Sequence, residues 1–130
     1  GEPDFALRLA KYSDGPWTDM KVNRDKETRI SWYSIAPGKE GRMFICYAVN
    51  GFKSHTDLLV LAELDGTILH YNDITIKSNE SPMVNVGESS IAQTKDNYVH
   101  VLFSYLPSKE STEFELCDAI FKVGPQPGNQ

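Results

Sequence analysis

SIAPGKEGRMFICYAVNGFKSHTDLLVLAEL, residues 34–64, is read again 56 positions later as SIAQTKDNYVHVLFSYLPSKESTEFELCDAI, residues 90–120. Aligned without gaps, Ser34, Ile35 and Ala36 meet Ser90, Ile91 and Ala92, and Lys39, Lys53 and Thr56 meet Lys95, Lys109 and Thr112. Ile45, Tyr47, Val49, Leu58 and Val60 fall on Val101, Phe103, Tyr105, Phe114 and Leu116, so the apolar register agrees better than the residue identities do. A supersecondary unit repeated at this period bounds the architecture, because one such unit cannot bury its apolar face alone and needs a neighbour to cover it.

Working outward, residues 28–36, TRISWYSIA, carry the β-branched and aromatic residues of a strand and close on Pro37-Gly38. Residues 42–50 and 57–64 read as two more strands, and Asp65-Gly66 as a type I′ hairpin turn leading into a fourth, residues 67–74. Four strands with short turns make one antiparallel meander. Residues 77–87 bridge to the next copy, where 89–94, 98–106 and 113–123 supply three strands. Upstream, Leu7, Leu9 and Ala10 followed by Asp14-Gly15 mirror Leu59, Leu61 and Ala62 followed by Asp65-Gly66. Residues 5–22 are therefore the trailing half of a repeat, 28–74 a full one and 88–123 a partial one, with a tail at 124–130. Residues 21–27, KVNRDKE, read as a charged connector without apolar periodicity.

The faces of the strands point to how the meanders pack. A strand in a two-sheet sandwich alternates apolar and polar, yet residues 43–49, MFICYAV, and 58–62, LLVLA, are apolar on both faces. Strands of that kind are covered on two sides, as in β-propeller blades stacked about an axis. The expected fold is all-β, with antiparallel four-stranded meanders as propeller-like blades. A β-sandwich with internal pseudosymmetry is the alternative. A ring of about four to eight blades would need further blades from another chain or a homo-oligomer.

Composition sets the outer bounds. With 40% hydrophobic and 24% charged residues the chain has a globular composition. Its net charge of -5, without a basic cluster, makes nucleic acid and anionic membranes unfavourable partners. No apolar run approaches the roughly 20 residues of a membrane span. Cys46 and Cys117 align with the apolar Leu102 and Leu61, which predicts buried free thiols, with one inter-strand disulfide as the alternative. The acidic balance and the sequon-like Asn79-Glu80-Ser81, followed by Pro82, lean towards a secreted protein.

Residues 12–18, YSDGPWT, carry a resemblance to a known family. They resemble the Asp-box turn of sialidase-type propellers, which joins the third and fourth strands of a blade and runs Ser or Thr, spacer, Asp, spacer, Gly, spacer, Thr, Trp. Here the spacers around Asp14 are absent and Thr18 follows Trp17. Only Asp65-Gly66-Thr67 remains in the second copy and Gly124 in the third. The resemblance implies a carbohydrate-active or carbohydrate-binding propeller with sugars on the axial face or between blades. It also implies an arginine triad in a true sialidase. Arg8, Arg24, Arg29 and Arg42 form no such pattern, so no catalytic residue is assigned.

The candidate ligand-binding residues are Trp17, Trp32, Tyr33, Tyr71 and Arg42. Trp32 and Tyr33 adjoin on one strand, which predicts that one is core and the other a binding surface. His55, His70 and His100 show no metal-ligand spacing, and neither a metal nor a cofactor is expected. His100 aligns with Phe44 and reads as a satisfied buried imidazole. Ser34 and Ser90 lack a nucleophile elbow and read as structural. A glycosidase needs two carboxyls about 5–9.5 Å apart, a proximity that sequence spacing in a sheet protein does not reveal for the candidates Glu40, Asp57, Glu63, Asp73, Glu88, Asp96 and Glu115. The expected function is a non-catalytic, lectin-like or sialidase-like module taking a glycan or a protein. The alternatives are a protein-interaction scaffold, or one part of a glycoside hydrolase completed by further blades.

Overall fold

A computed structural model describes residues 6–11, 18–50, 57–74, 89–107 and 110–123. Among them are three antiparallel sheets. The first pairs β1 (Arg8–Lys11) with β2 (Thr18–Lys21). The second runs β3 (Ile30–Pro37), β4 (Met43–Asn50), β5 (Asp57–Asp65) and β6 (Ile68–Ile74). The third runs β7 (Ser89–Gln93), β8 (Tyr98–Tyr105) and β9 (Glu115–Lys122). Within each sheet, sequence neighbours are sheet neighbours, so the all-β antiparallel meander expectation holds. The Asp-box residues 12–17, the bridge 77–87 and the tail 124–130 lie outside the described residues.

Asp65 pairs with Ile68, leaving Gly66 and Thr67 as the turn between β5 and β6. Gly66 has φ +64 and Thr67 does not share the positive φ. That is the glycine-first pattern of a type II′ turn rather than the expected type I′.

Two apolar clusters lie on opposite faces of the second sheet. Ile45, Tyr47, Val60, Ala62 and Leu64 turn one way and receive Leu7, Leu9 and Met20 of the first sheet region together with Val22. Phe44, Cys46, Ala48, Leu59, Leu61 and Ile74 turn the other way and meet Val99, Val101, Phe103 and Tyr105, with Ile91, Cys117, Ala119 and Phe121 alongside. Double-sided burial of β4 and β5 is what their uninterrupted apolar runs foreshadow.

The faces are used head to tail. Tyr33 pairs with Tyr47 as Ser89 pairs with Phe103, so β7 and β8 follow the 56-residue period. Hence Val101 and Phe103, which face the second sheet, occupy the places of Ile45 and Tyr47, which face the first. Along β9 the period lengthens by one residue: Met43 pairs with Leu64, but Val99 pairs with Phe121 rather than with Ile120. The gapless alignment therefore slips in this strand, and a one-residue slip exchanges its two faces. Cys117, Ala119 and Phe121 go inward at the places of Val60, Ala62 and Leu64. Phe114 and Leu116, which the gapless alignment sets on Leu58 and Val60, are exposed.

The turns that begin β4 and β8 also meet in register. A single 3₁₀ turn at Lys39–Gly41, with Glu40 at φ +59, is closed by the Gly38 N–H donating to the Arg42 carbonyl at 2.7 Å. Its counterpart closes with Thr94 N–H on the Tyr98 carbonyl at 2.8 Å. The Lys39 ammonium crosses between them to the carbonyl of its own repeat equivalent, Lys95, at 2.7 Å, and to Asn97 Oδ1 at 3.0 Å. Lys39 N–H donates to Gln93 Oε1 at 2.7 Å, and the Ser34 and Ser89 hydroxyls lie 2.9 Å apart. Lys39, which recurs as Lys95, thus serves a contact between repeats as well as a turn.

Gly38 permits that approach. A Cβ there would sit 2.5 Å from Phe44 Cε2 and 3.1 Å from Gln93 Oε1. Gly38→Ala should cost about 1–3 kcal/mol through overpacking. In a double-mutant cycle with Phe44→Leu, which removes the obstructing ring, chemical denaturation should recover about 1 kcal/mol as coupling. Strict additivity would show that the ring is not what excludes the methyl group.

Candidate functional site

Trp32 and Tyr33 are both exposed, at 45% and 69%, and Ile35 beside them at 54%. The expectation that one aromatic is core is corrected here, for two reasons. First, the pairing of β3 with β4 shifts between Ile30 and Tyr33, a bulge that breaks simple alternation at Trp32. Second, Tyr33 and Ile35 share a face with their partners Tyr47 and Ile45, but the first sheet has only two strands among the described residues. It covers β4, β5, Leu69 and Tyr71, and on β3 it reaches Ile30. Ile91, the repeat equivalent of Ile35, is packed because a full four-stranded sheet lies over it. An edge strand thereby presents two large rings and one aliphatic side chain to solvent.

The other two candidates within the described residues lie elsewhere. Tyr71 is half-buried, donates from its hydroxyl to the Val22 carbonyl at 2.5 Å, and lies beneath the Arg24 guanidinium, 4.9 Å from ring centroid to Cζ. Arg42 is buried against Glu63, with Nε 3.4 Å from Oε1. Trp32 and Tyr33 are thus exposed neighbours on β3, whereas Tyr71 and Arg42 are engaged elsewhere by Val22, Arg24 and Glu63. Trp17 lies outside the described residues.

Sequence reading missed the most connected polar cluster. The connector after β2 buries Val22, Asn23 and Glu27. Arg24 N–H donates to Glu27 Oε1 at 2.8 Å, and its guanidinium donates to Oε2 at 2.8 and 3.2 Å. Tyr47 donates its hydroxyl to Glu27 Oε1 at 2.6 Å, while Arg24 reaches Asp73 at 2.5 Å. Asn23 accepts from Leu7 N–H and donates to the Glu27 carbonyl, each at 2.7 Å. Hydrophobic periodicity could not reveal this loop, because its burial is satisfied by hydrogen bonds.

The protonation states follow from the geometry. Burial alone would push Glu27 up, but hydrogen bonds from Arg24 and Tyr47, the Arg24 N–H and the guanidinium charge outweigh it and hold its carboxyl below the usual range. Burial first, then the bond to Glu27, drives the Tyr47 phenol well above its usual range. Hydrogen bonding to Glu27 raises Arg24 despite opposing burial. An ionised carboxylate with three kinds of donor and a phenol locked as a donor describe a clamp between connector and sheet. The fully buried Tyr47 is not a nucleophile within reach of a substrate.

Remaining polar groups are smaller units. His100 Nδ1 lies 3.0 Å from Asp118 Oδ2 on the outer face of the third sheet. The expected satisfied imidazole is there, but half-exposed rather than buried, because that face is uncovered. Tyr105 donates to Glu115 at 2.9 Å. Cys46 and Cys117 are both free thiols; Cys117 is only half-buried, while Cys46 is buried as expected, which pushes it up to about 11 despite a hydrogen bond from Ser89. Such a thiol is inert at neutral pH. Among the described residues there is no group of three or more metal-ligating side chains and no helix long and apolar enough to cross a membrane. Comparison with protein-family models, curated proteins and solved structures finds no match.

Arg24→Ala should destabilise by about 3 kcal/mol, since it leaves a buried carboxylate without its cation, and Tyr47→Phe by about 1–3 kcal/mol. Because the folded-state pKa of Glu27 is depressed, its contribution is complete above the unfolded value of 4.5 and is lost as pH falls through the lower folded value. Tyr47→Phe should therefore move the acid-unfolding midpoint upward, read by circular dichroism. An unchanged midpoint would separate Tyr47 from the clamp.

Proposed function

We propose that this chain is a non-catalytic, carbohydrate-binding module built from propeller-like blades, with Trp32 and Tyr33 forming its stacking platform. The observation that carries the reading is the joint exposure of those two rings on an edge strand. Aromatic faces with a polar rim suit the apolar faces and hydroxyl edges of sugars. Head-to-tail stacking of meanders supports the propeller-like component, because it repeats one face-to-face contact rather than mirroring it about a two-fold axis.

A non-catalytic role is supported by how the fold disposes its gathered carboxylates. Glu27 and Asp73 share Arg24, Glu63 faces Arg42, Asp118 faces His100, and Glu115 accepts from Tyr105. A glycoside hydrolase instead needs an acid and a base or nucleophile facing each other across the scissile bond.

The test is a broad glycan array with the folded chain, followed by titration of the best ligand. Trp32→Ala and Tyr33→Ala should each weaken binding about 3- to 10-fold, with little change in melting temperature because both rings are exposed. No binding to any glycan would end this reading. Capture of a stoichiometric protein partner without sugar dependence would favour the interaction scaffold, and turnover of an aryl glycoside or sialoside would favour the hydrolase.

A further inference from the structure

The outer face of the third sheet, apolar at Leu102, Leu116 and Ile120 and polar at His100 and Asp118, is a surface for which the fold has already shown a use. Leu102, Leu116 and Ile120 stand on it at 43%, 77% and 55% exposure. Their repeat equivalents are Cys46 and Leu59, fully buried in the seam with the third sheet, and Glu63, in contact with the buried Arg42. The two sheets therefore present the same face, covered in one and bare in the other. The polar anchors of the seam recur as well. Ser90 follows Ser34, whose hydroxyl meets Ser89, and Lys95 follows Lys39, whose ammonium reaches the next turn.

We propose that this face is the docking surface for one further β-meander, supplied by residues other than these 130. The meander would present the apolar, partly aromatic face that the third sheet itself turns inward through Val101, Phe103 and Ala119. The proposal continues an interface the molecule already contains and does not depend on the glycan reading. A second copy of this chain is a poor occupant. Its faces of the required kind are already buried on the second and third sheets, and the corresponding outer face of its first sheet carries the exposed Arg8–Asp19 ion pair, 3.0 Å between Nε and Oδ2. The incoming meander must also offer polar groups to the His100–Asp118 pair, which covering the face would desolvate.

The test extends the full chain after Gln130 by a second copy of residues 68–123. This adds a fourth strand for the third sheet, a bridge and a meander of the required face. Leu116→Cys, at the most exposed position, reports coverage by its labelling rate with a soluble maleimide, corrected for the parent thiols. The extended chain should label at least 10-fold more slowly than the 130-residue chain, and Leu102→Asp with Ile120→Asp should restore the fast rate. An appended unit that stays unfolded by circular dichroism, or that folds without slowing the label, overturns the proposal. Slow labelling of the 130-residue chain alone also overturns it: as a sedimenting dimer it would make a second copy the occupant, and as a monomer a segment of its own.

Discussion

Everything in this molecule follows from two strands that have no polar face. β4 and β5 place Phe44, Cys46, Leu59 and Leu61 on one side of the second sheet and Ile45, Tyr47, Val60 and Ala62 on the other, all buried. Apolar burial stabilises at about 25 cal/mol per Å², so leaving either side wet would forfeit much of the free energy that holds the sheet. The first sheet region and the third sheet supply the two covers. The third sheet, having offered its own inner face, is left with an outer one that is mixed rather than apolar throughout.

The polar architecture is subordinate to that stacking and concentrates at its seams. Between the first and second sheets, Glu27 gathers Arg24 and Tyr47, and Arg24 extends the contact to Asp73 and the Tyr71 ring. Between the second and third, Lys39, Gln93 and the Ser34–Ser89 hydroxyls tie one repeat to the next. Nonpolar stacking alone would let sheets slide, whereas directional hydrogen bonds at the rims set their register. The exposed pair Trp32 and Tyr33 lies on the part of this plan left uncovered by a neighbour that has two strands among the described residues.

Much of the fold was legible before any coordinates. The repeat located seven of the strands to within one or two residues, and the trailing half-repeat at the N-terminus anticipated β1 and β2. Of the candidate site, the chemistry of Trp32 and Tyr33 was legible but their joint exposure was not, because strand alternation assumes a regular ladder and the pairing shifts beside them. Arg42 and Tyr71 read as ligand-binding candidates because nothing local announces Glu63 or Val22 as their partners. The connector 21–27 read as solvated for a related reason: a buried Glu has the same letter as an exposed one.

The amino-acid sequence by itself determined the all-β class, the repeating meander and the need of β4 and β5 for a cover on each side, since period-two patterning and turn residues act locally. Only the tertiary structure decided which face of each outer strand is buried. The gapless repeat aligned Phe114 and Leu116 with Leu58 and Val60, and a single added residue before β9 turned Leu116 to solvent and brought Cys117, Ala119 and Phe121 inward. A strand's two faces are chemically specified by its residues, but which one is covered depends on where the neighbouring sheet lies, and that is fixed by contacts far apart in the chain.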